Sequence, residues 1–297
     1  MSVAQDPTVT PIAVPAEPDQ ARVARSERIR LLLRSPTFLV GCALVGWWVL
    51  CAFLGDQFAP QNPQAPDVLD KLAPPSGEHP LGTDRLGRDV LSRVIVGAES
   101  VLIIAPLATL LGTVLGTAIG LVTGYFLGFL DDVFMRIVDA FLALPVIIIA
   151  LVAIAALGPG QVTLILVIGF IFTLIIAKTV RAAVLGEAQL EYVEAARLRN
   201  ERFPYVVFAE ILPNVMGPVI VEFTVRLGYA IFAVATLSFL GFGADPSIPD
   251  WGLDISEHYG FINGGVWWAV LFPSLAIATL IVGINLIADA IASTFER

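Results

Sequence analysis

Long stretches of this sequence contain no charged residue, and they restrict what the chain can fold into. Thr37–Leu54, Ser100–Leu130 and Ala140–Ala177 have no Asp, Glu, Lys or Arg. A helix of about 20 apolar residues crosses the hydrocarbon core of a bilayer. Hydrophobic residues make up 57% of the chain and charged residues 14%, whereas a soluble domain has about 25% charged residues. The sequence therefore predicts an all-α protein that crosses a membrane several times.

Turn-forming residues divide the chain into six predicted transmembrane helices. Gly158-Pro159-Gly160 interrupts the longest uncharged stretch and is a strong turn signal, so this stretch is interpreted as two spans. The predicted spans lie at about 35–54, 100–130, 133–157, 162–180, 215–240 and 267–288. Between Gly82 and Gly97, apolar residues recur at helical spacing, which predicts an amphipathic helix at the membrane interface.

The distribution of Lys and Arg predicts the orientation of the chain. With a cytoplasmic N-terminus, twelve of the 17 Lys and Arg residues fall in cytoplasmic segments and four in external ones, as the positive-inside rule requires. The predicted organisation is a cytoplasmic tail (1–34), the first span (35–54), an external loop with the amphipathic helix (55–97), a five-helix core (98–290) with a cytoplasmic loop at 181–213, and a cytoplasmic C-terminus (291–297).

Glycine recurs at every fourth position of the second predicted span. The glycines are Gly112, Gly116, Gly120, Gly124 and Gly128. Small residues at this spacing allow the backbone of another helix to approach closely. The repeat therefore predicts a helix-packing surface.

The cytoplasmic loop contains a predicted short helix over Glu191–Asn200. Ala, Glu, Leu and Arg favour a helix, and Asn200 is suited to end it because Asn adopts the left-handed conformation more readily than most residues. A short helix between two spans can dock in a groove of another protein and transmit its movement. The alternative interpretation is an ordinary solvated connector.

Two charged residues, Glu222 and Arg226, lie four positions apart within the fifth predicted span. Charges inside a membrane are costly and usually face the interior of a bundle or an aqueous path. At this spacing the two side chains can pair on one helix face. The sequence leaves open a structural pair and a pair that lines a translocation path or its inner gate.

Several classes of function are disfavoured. A nucleotide phosphate loop needs Gly-x-x-x-x-Gly-Lys-Ser/Thr, and Lys71 and Lys178, the only lysines, lie in no such motif. His79 and His258 are distant and have no cysteine cluster beside them, so no metal site is predicted. No nucleophilic catalytic group is evident, and the net charge of −9 gives no reason to expect nucleic-acid binding. A secondary transporter or channel that works alone, and a membrane enzyme, remain as alternatives.

Three motifs resemble a known family. Glu194-Ala195-Ala196, followed by a turn and Leu212-Pro213-Asn214, resembles the coupling loop of bacterial ABC importer permeases. His79–Arg93 resembles the segment before the second span in the dipeptide/oligopeptide/nickel branch, in the DppC/OppC-like subunit. Thr236–Gly243 and the following Pro246-x-x-Pro249-Asp250-Trp251-Gly252 resemble the same subunit.

The resemblance implies a type I ABC importer permease (MetI-like) fold and a role as the permease subunit of an ATP-driven peptide importer in the bacterial inner membrane. The implied ATPase-coupling residues are Tyr192, Glu194, Ala195, Ala196, Asn200, Leu212 and Pro213. The family-signature residues are Gly82, Thr83, Asp84, Gly87, Arg88, Asp89, Ser92, Arg93, Ser238, Phe239, Leu240 and Gly241.

The resemblance also implies partners. These are a second, DppB/OppB-like permease, two ATPase subunits or a fused ATPase that hold ATP and Mg, and an external or lipid-anchored substrate-binding protein, all in membrane lipid. The chain itself is then expected to bind no cofactor and to catalyse no reaction. The sequence departs from the family pattern at two places. Asn200-Glu201-Arg202 stands where the family frequently has a Gly-Ala-Ser turn, and Val234 stands where many relatives have Glu.

Overall fold

The computed structural model describes residues 32–243 and 247–295, and the regular elements of this part are helical. Most of the predicted N-terminal tail, Pro246 of the third motif and Arg297 lie outside the described residues. In chain order the helices are α1 (Pro36–Phe58), α2 (Val90–Val96), α3 (Ala98–Tyr125), α4 (Phe129–Leu142), α5 (Val146–Leu157), α6 (Gln161–Glu187), α7 (Glu191–Leu198), α8 (Leu212–Leu237), α9 (Trp251–His258) and α10 (Trp268–Phe295).

Four further segments adjoin these helices. A turn of helix at Phe203–Tyr205 and a π-helical segment at Val206–Ile211 lead directly into α8. A second π-helical segment, Ser238–Phe242, follows α8. A 3₁₀ helix, Tyr259–Gly264, follows α9.

Among the described residues, five helical stretches are long and apolar enough to cross a membrane: Pro36–Phe58, Val90–Tyr125, Gln161–Glu187, Phe203–Phe242 and Trp268–Ser293. Counting the bent pair α4 and α5 as one span gives six. The fold class predicted from the sequence is confirmed in its all-helical, multi-span character.

The third predicted span is bent rather than continuous. Asp131–Leu142 and Val146–Leu157 meet at 91°. Pro145 disfavours a helical conformation at the residue before it, which ends α4. The 12 residues of α5 extend about 18 Å, less than the ~30 Å hydrocarbon core of a bilayer. The span predicted at 133–157 therefore consists of two helices joined by a sharp bend.

The helix predicted over 82–97 is shorter than expected. Only Val90–Val96 is helical, and Asp89 caps it by accepting a hydrogen bond from the backbone N–H of Ser92 at 2.8 Å. Residues 82–89 fold into a tight loop, in which Gly82 and Gly87 have positive φ angles of 77° and 81°. Most residues of α2 are buried, so this segment packs into the protein instead of forming an exposed amphipathic helix.

The glycine repeat packs α3 against α6. A Cβ atom added to Gly112, Gly116, Gly120 or Gly124 would lie 2.6–2.8 Å from the Cβ atom of Phe172, Ile176, Val180 or Val184, respectively. Both series advance by four, so the two helices run parallel. Gly169 supplies a small residue from the opposite helix, since a Cβ there would lie 2.7 Å from Leu111.

The packing prediction is wrong for Gly128. This residue lies just beyond α3, at the start of α4, with a φ angle of 126°. No described atom lies within 4 Å of a Cβ added there. Gly128 is therefore a turn residue, because only glycine adopts this conformation without strain.

The remaining contacts define two ends of the bundle. α1 runs antiparallel to α10, because Gly41 lies against Gly283 and Trp48 donates from Nε1 to Thr279 Oγ1 at 3.1 Å. The start of α3 and the start of α10 lie at one end, here called the signature end. The end of α3 and α7 lie at the other, here called the loop end. The 28 residues of α3 separate them by about 42 Å.

Candidate functional site

The short helix α7 at the loop end has one buried and one exposed face. Val193 and Ala196 are fully buried. Glu194 and Ala195 are exposed, and Leu198 has 78% of its surface exposed. The exposed face therefore combines a carboxylate, a small residue and a large apolar side chain. This composition suits a protein contact better than it suits water alone.

Asn200 ends α7 as the sequence predicts. Its φ angle is 56°, in the left-handed region. The N–H of Asn200 donates to the carbonyl of Arg197 at 2.9 Å, and the N–H of Glu201 donates to the carbonyl of Ala196 at 3.2 Å. This pair of bonds is a Schellman motif. The substitution of Asn for the frequent glycine thus preserves the helix–turn geometry.

Tyr192 ties α7 to the two flanking spans. Its hydroxyl donates to Glu187 Oε1 at 2.6 Å, at the end of α6, and accepts from Asn214 Nδ2 at 3.0 Å, near the start of α8. Partial burial and the bond to Glu187 raise the pKa of Tyr192 to about 12. The hydroxyl therefore stays protonated, and able to donate, at neutral pH.

An aromatic cluster connects α7 to a third span. Phe203 packs against Tyr125 and Phe126 at the end of α3, with ring centroids 5.4 and 4.5 Å apart. The guanidinium of Arg197 in α7 lies over the Tyr125 ring, 4.7 Å from its centroid. Such a contact is favourable because the face of an aromatic ring is negative. α7 is therefore held to α3, α6 and α8 together.

Leu212 and Pro213 lie at the start of α8, next to the first π-helical segment. A proline removes a backbone donor, and its ring clashes with the carbonyl four residues before it, here Ala209. The wider π turn at Val206–Ile211 fits this position. The fifth membrane-length helical stretch therefore begins at Phe203, and residues 188–202 separate it from α6. The cytoplasmic loop at 181–213 stays a prediction.

The charged pair in the fifth span forms as predicted. Arg226 donates from Nε to Glu222 Oε1 at 2.7 Å, and its Nη2 lies 2.6 Å from the same oxygen. The Arg226 guanidinium also lies 5.5 Å from the centroid of the exposed Tyr229 ring. Both charged side chains are partly buried. Their place in a translocation path stays a prediction.

At the signature end, a network of charges, buried at Arg88 and Arg93 and exposed at Arg85, joins two separate segments of the chain. Arg93 at the end of α2 donates from Nη2 to Asp254 Oδ1 of α9 at 2.5 Å. Arg88 donates from Nε to Asp84 Oδ2 at 2.5 Å. Glu257 of α9 accepts from Arg85 at 2.7 Å. The Arg93–Asp254 pair holds α2 against α9 and the Arg85–Glu257 pair holds the loop at 82–89 against α9, while the Arg88–Asp84 pair closes the loop on itself.

Indole groups add directional bonds to this network. Trp251 Nε1 donates to the carbonyl of Val94 at 2.9 Å, and its ring meets Trp48 edge to face at 4.9 Å. Trp268 Nε1, at the start of α10, donates to the carbonyl of Thr83 at 3.0 Å. Buried indole N–H groups need such partners. The contacts bring α1, α2, α9 and α10 together.

Comparison with known proteins identifies the family. The model of the family described as "Binding-protein-dependent transport system inner membrane component" matches residues 116–297, more than half of the chain. The chain belongs to this family.

Curated relatives cover most of this permease. "Dipeptide transport system permease protein DppC" from Escherichia coli (strain K12) is 39% identical over 271 residues, 89% of each chain. A protein of the same name from Alkalihalophilus pseudofirmus is 31% identical, over 98% of this chain and 96% of the relative. "Di/tripeptide transport system permease protein DppC" from Pseudomonas aeruginosa (strain UCBPP-PA14) is 35% identical, over 84% of each chain. These relatives are transport permeases and not enzymes.

The permease's signature residues do not all lie in one place. Those between Gly82 and Arg93 form the buried loop and α2 at the signature end. Ser238 joins them indirectly, because its Oγ donates to Asp250 Oδ2 at 2.9 Å, and Asp250 caps α9. Phe239 and Leu240 are exposed on the second π-helical segment, and Gly241 has a φ angle of 87°.

Burial of Asp250 raises the pKa of its carboxyl group, against the lowering effect of the bonds from Leu253 and Ser238. Sequence reasoning missed Asp254 and Glu257 as partners of the arginines. These two acidic residues lie far along the chain from the arginines, so no regular spacing in the sequence links them.

Proposed function

We propose that this permease is one of two membrane subunits of an ATP-driven importer of dipeptides or oligopeptides, and that α7 couples it to the ATPase subunits. The peptide substrate is inferred from the names of the relatives, which are dipeptide and di/tripeptide permeases. The geometry of α7 carries the coupling proposal. A helix exposed along one face and tied to three spans along the other is suited to transmit a movement.

The exposed face of α7 is the proposed contact with the ATPase. Glu194, Ala195 and Leu198 point away from the bundle, and Leu198 fills an apolar part of the partner's groove. Val193 and Ala196 anchor the opposite face. When the ATPases close on ATP, a shift of α7 pulls on α6 and α8 through Tyr192 and on α3 through Arg197 and Phe203. The bundle then moves between inward-open and outward-open states.

The proposed assembly places every other chemical step on partners. ATP and Mg bind to the two ATPase subunits, or to a fused one. A DppB/OppB-like permease supplies the other half of the path, and an external or lipid-anchored binding protein delivers the peptide. In this arrangement the loop end, both termini and α7 face the cytoplasm, in the orientation that the distribution of Lys and Arg favours.

Glu222 and Arg226 are the proposed polar lining of the path. A charged pair on a lipid-facing surface would be costly. Both side chains are largely buried within this chain, with 19% of the Arg226 and 14% of the Glu222 side chain exposed, and we place this exposed remainder against the second permease or the aqueous path. Tyr229, exposed one turn further along α8, extends the same face.

Charge reversal at the exposed face of α7 tests the coupling proposal. We expect Glu194→Arg and Leu198→Arg to reduce co-purification of the ATPase subunits and ATP-driven peptide uptake by about tenfold or more, because interface centres tolerate neither an unpaired charge nor the loss of an apolar anchor. The fold should survive, since both side chains are exposed. Arg136→Glu, an equally exposed charge reversal on α4, is the matched control.

Two results would contradict this proposal. Normal ATPase association and uptake in both α7 variants would remove the coupling role. Peptide uptake in proteoliposomes that contain the permease without any ATPase would favour a transporter that works alone.

A further inference from the structure

Two adjacent apolar side chains project from the segment between α1 and α2. Val68 has 71% and Leu69 has 93% of its surface exposed. Many apolar side chains of the candidate spans are also exposed, mostly to a lesser degree, and a bilayer would cover them. Val68 and Leu69 lie outside the spanning helices, in a segment rich in Pro and Asp. An exposed apolar pair in such a position marks a contact site more often than an isolated residue does.

The loop that carries this pair, residues 67–73, is fastened to the signature loop by hydrogen bonds. The N–H of Leu72 donates to the carbonyl of Asp84 at 3.0 Å. Thr83 bonds the loop in two directions: its Oγ1 accepts from the N–H of Ala73 at 2.8 Å and donates to the carbonyl of Asp70. The Asp67 carboxylate accepts from the N–H of Leu69 at 2.9 Å. The apolar pair is therefore presented on a rigid support.

Backbone conformation adds a second observation. Leu72 has a φ angle of 54°, which is a genuine outlier for a bulky residue. At the start of the loop, Gly87 leaves no room for a side chain beside Asp67, because a Cβ would lie 1.7 Å from the carbonyl oxygen of Asp67. Strain of this kind persists where surrounding structure enforces it, and it concentrates at functional sites. The 67–73 loop is held in a specific shape that exposes Leu69.

We infer that the 67–73 loop docks the substrate-binding protein, with Val68 and Leu69 inserted into an apolar depression of that partner. This inference rests on the proposed function, which supplies an external binding protein. The charges beside the pair favour a protein over a lipid surface. Asp67 and Asp70 flank it, and Lys71 is the one basic residue of the loop; outside the loop, the His79 ring lies 3.9 Å from the Asp70 carboxylate. Anionic lipid repels carboxylates and attracts basic residues, whereas a basic rim around an apolar pocket complements this loop.

The residues that hold the 67–73 loop, Thr83 and Asp84, also connect the docking surface to the helix bundle. Thr83, which holds the loop, accepts the indole N–H of Trp268 at the start of α10. Asp84, which holds Leu72, pairs with Arg88 and lies 3.9 Å from Arg93 of α2. A partner seated on Leu69 thus presses on the elements that begin two spans. Docking outside can bias the bundle without contact to the substrate path.

Affinity measurements on the assembled transporter test the inference. The complex of both permeases and the ATPases is reconstituted in lipid nanodiscs, and the purified binding protein of the same transporter is titrated onto it. We expect Leu69→Ser to weaken binding by about tenfold or more, as loss of an apolar hot spot does. Leu69→Met, which keeps an apolar side chain of similar size, should bind within about threefold of the wild type. Glu78→Gln, at an exposed carboxylate outside the loop, is the charge control.

A photo-crosslinking amino acid at position 69 gives a second readout on the folded complex. Crosslinks to the binding protein support the inference, and crosslinks confined to lipid overturn it. Unchanged affinity of Leu69→Ser, in a complex that retains its ATPases, overturns it as well. If the wild-type permease retains no ATPase, the proposed function fails instead, so the two failures are distinguishable.

Discussion

Tyr192 shows at the scale of one residue how α7 is held. Tyr192→Phe removes the hydroxyl that bonds Glu187 and Asn214 and leaves the ring in place. We expect a loss of about 1–2 kcal/mol in the free energy of unfolding, the usual effect of deleting partly buried hydrogen bonds. Thermal unfolding of the detergent-solubilised permease measures it. Tyr205→Phe, at an exposed tyrosine near the same end, should have little effect.

The raised pKa of Tyr192 predicts that the stability of the folded permease decreases at alkaline pH. An unfolded tyrosine ionises near pH 10, while Tyr192 in the folded protein stays protonated to about pH 12. Between these values the unfolded state binds fewer protons, so the contribution of Tyr192 to stability is present below pH 10 and falls as pH rises. The difference in melting temperature between wild type and Tyr192→Phe should therefore change between pH 9 and pH 11. A constant difference would contradict the raised pKa.

Single residues also show where sequence reasoning succeeds. Asn200 was predictable because a left-handed helix end has a local chemical signature. The partners of Tyr192 were not, since Glu187 and Asn214 belong to two other helices and no spacing rule links them. For the same reason the sequence indicates that Arg93 lies in a signature motif but not that Asp254 neutralises it.

At the scale of elements, the glycine surface of α3 offers a sharp test. Gly120→Leu would place a Cβ 2.7 Å from that of Val180 and 2.8 Å from the carbonyl oxygen of Ala177. Because the obstacle includes backbone, α3 and α6 must separate, and we expect a loss of about 3 kcal/mol or more in stability. Gly46→Leu in α1, where no described atom lies within 4 Å of an added Cβ, is the matched control.

Expression level and melting temperature of the two glycine variants check this expectation. Equal stability of Gly120→Leu and Gly46→Leu would show that α3 and α6 are not closely packed through the glycines.

The uncharged stretches of the sequence predict where the membrane-spanning elements lie, but they do not predict where these elements bend. Hydropathy records how apolar a segment is, and it is the same for a straight helix and for α4 and α5 joined at 91°. Pro145 carried the missing signal, as did Pro213 for the π-helical start of the fifth span. A proline inside an apolar run indicates an irregularity, but the direction and angle depend on tertiary packing.

On the scale of the whole molecule, the fold separates two contact regions and joins them through packed helices. The signature end fixes the starts of α3 and α10, and the loop end fixes the ends of α3 and α6. The parallel α3–α6 pair, packed through glycines over most of its length, connects these regions as a rigid unit. Under the proposed function, such a unit would carry a displacement of α7 to the signature end, which a bundle of loosely packed helices would not do.

Whole-transporter uptake decides whether Glu222 and Arg226 form a structural pair or line the path. Glu222→Gln alone leaves Arg226 unpaired, so both interpretations predict lower stability. The double variant Glu222→Gln/Arg226→Gln removes both charges and should regain most of the wild-type melting temperature. If the pair lines the path, ATP-driven peptide uptake by the double variant should remain about tenfold or more below wild type while ATPase association is normal. Restored uptake would assign the pair a structural role, because a purely structural ion pair can be replaced by neutral residues without loss of function.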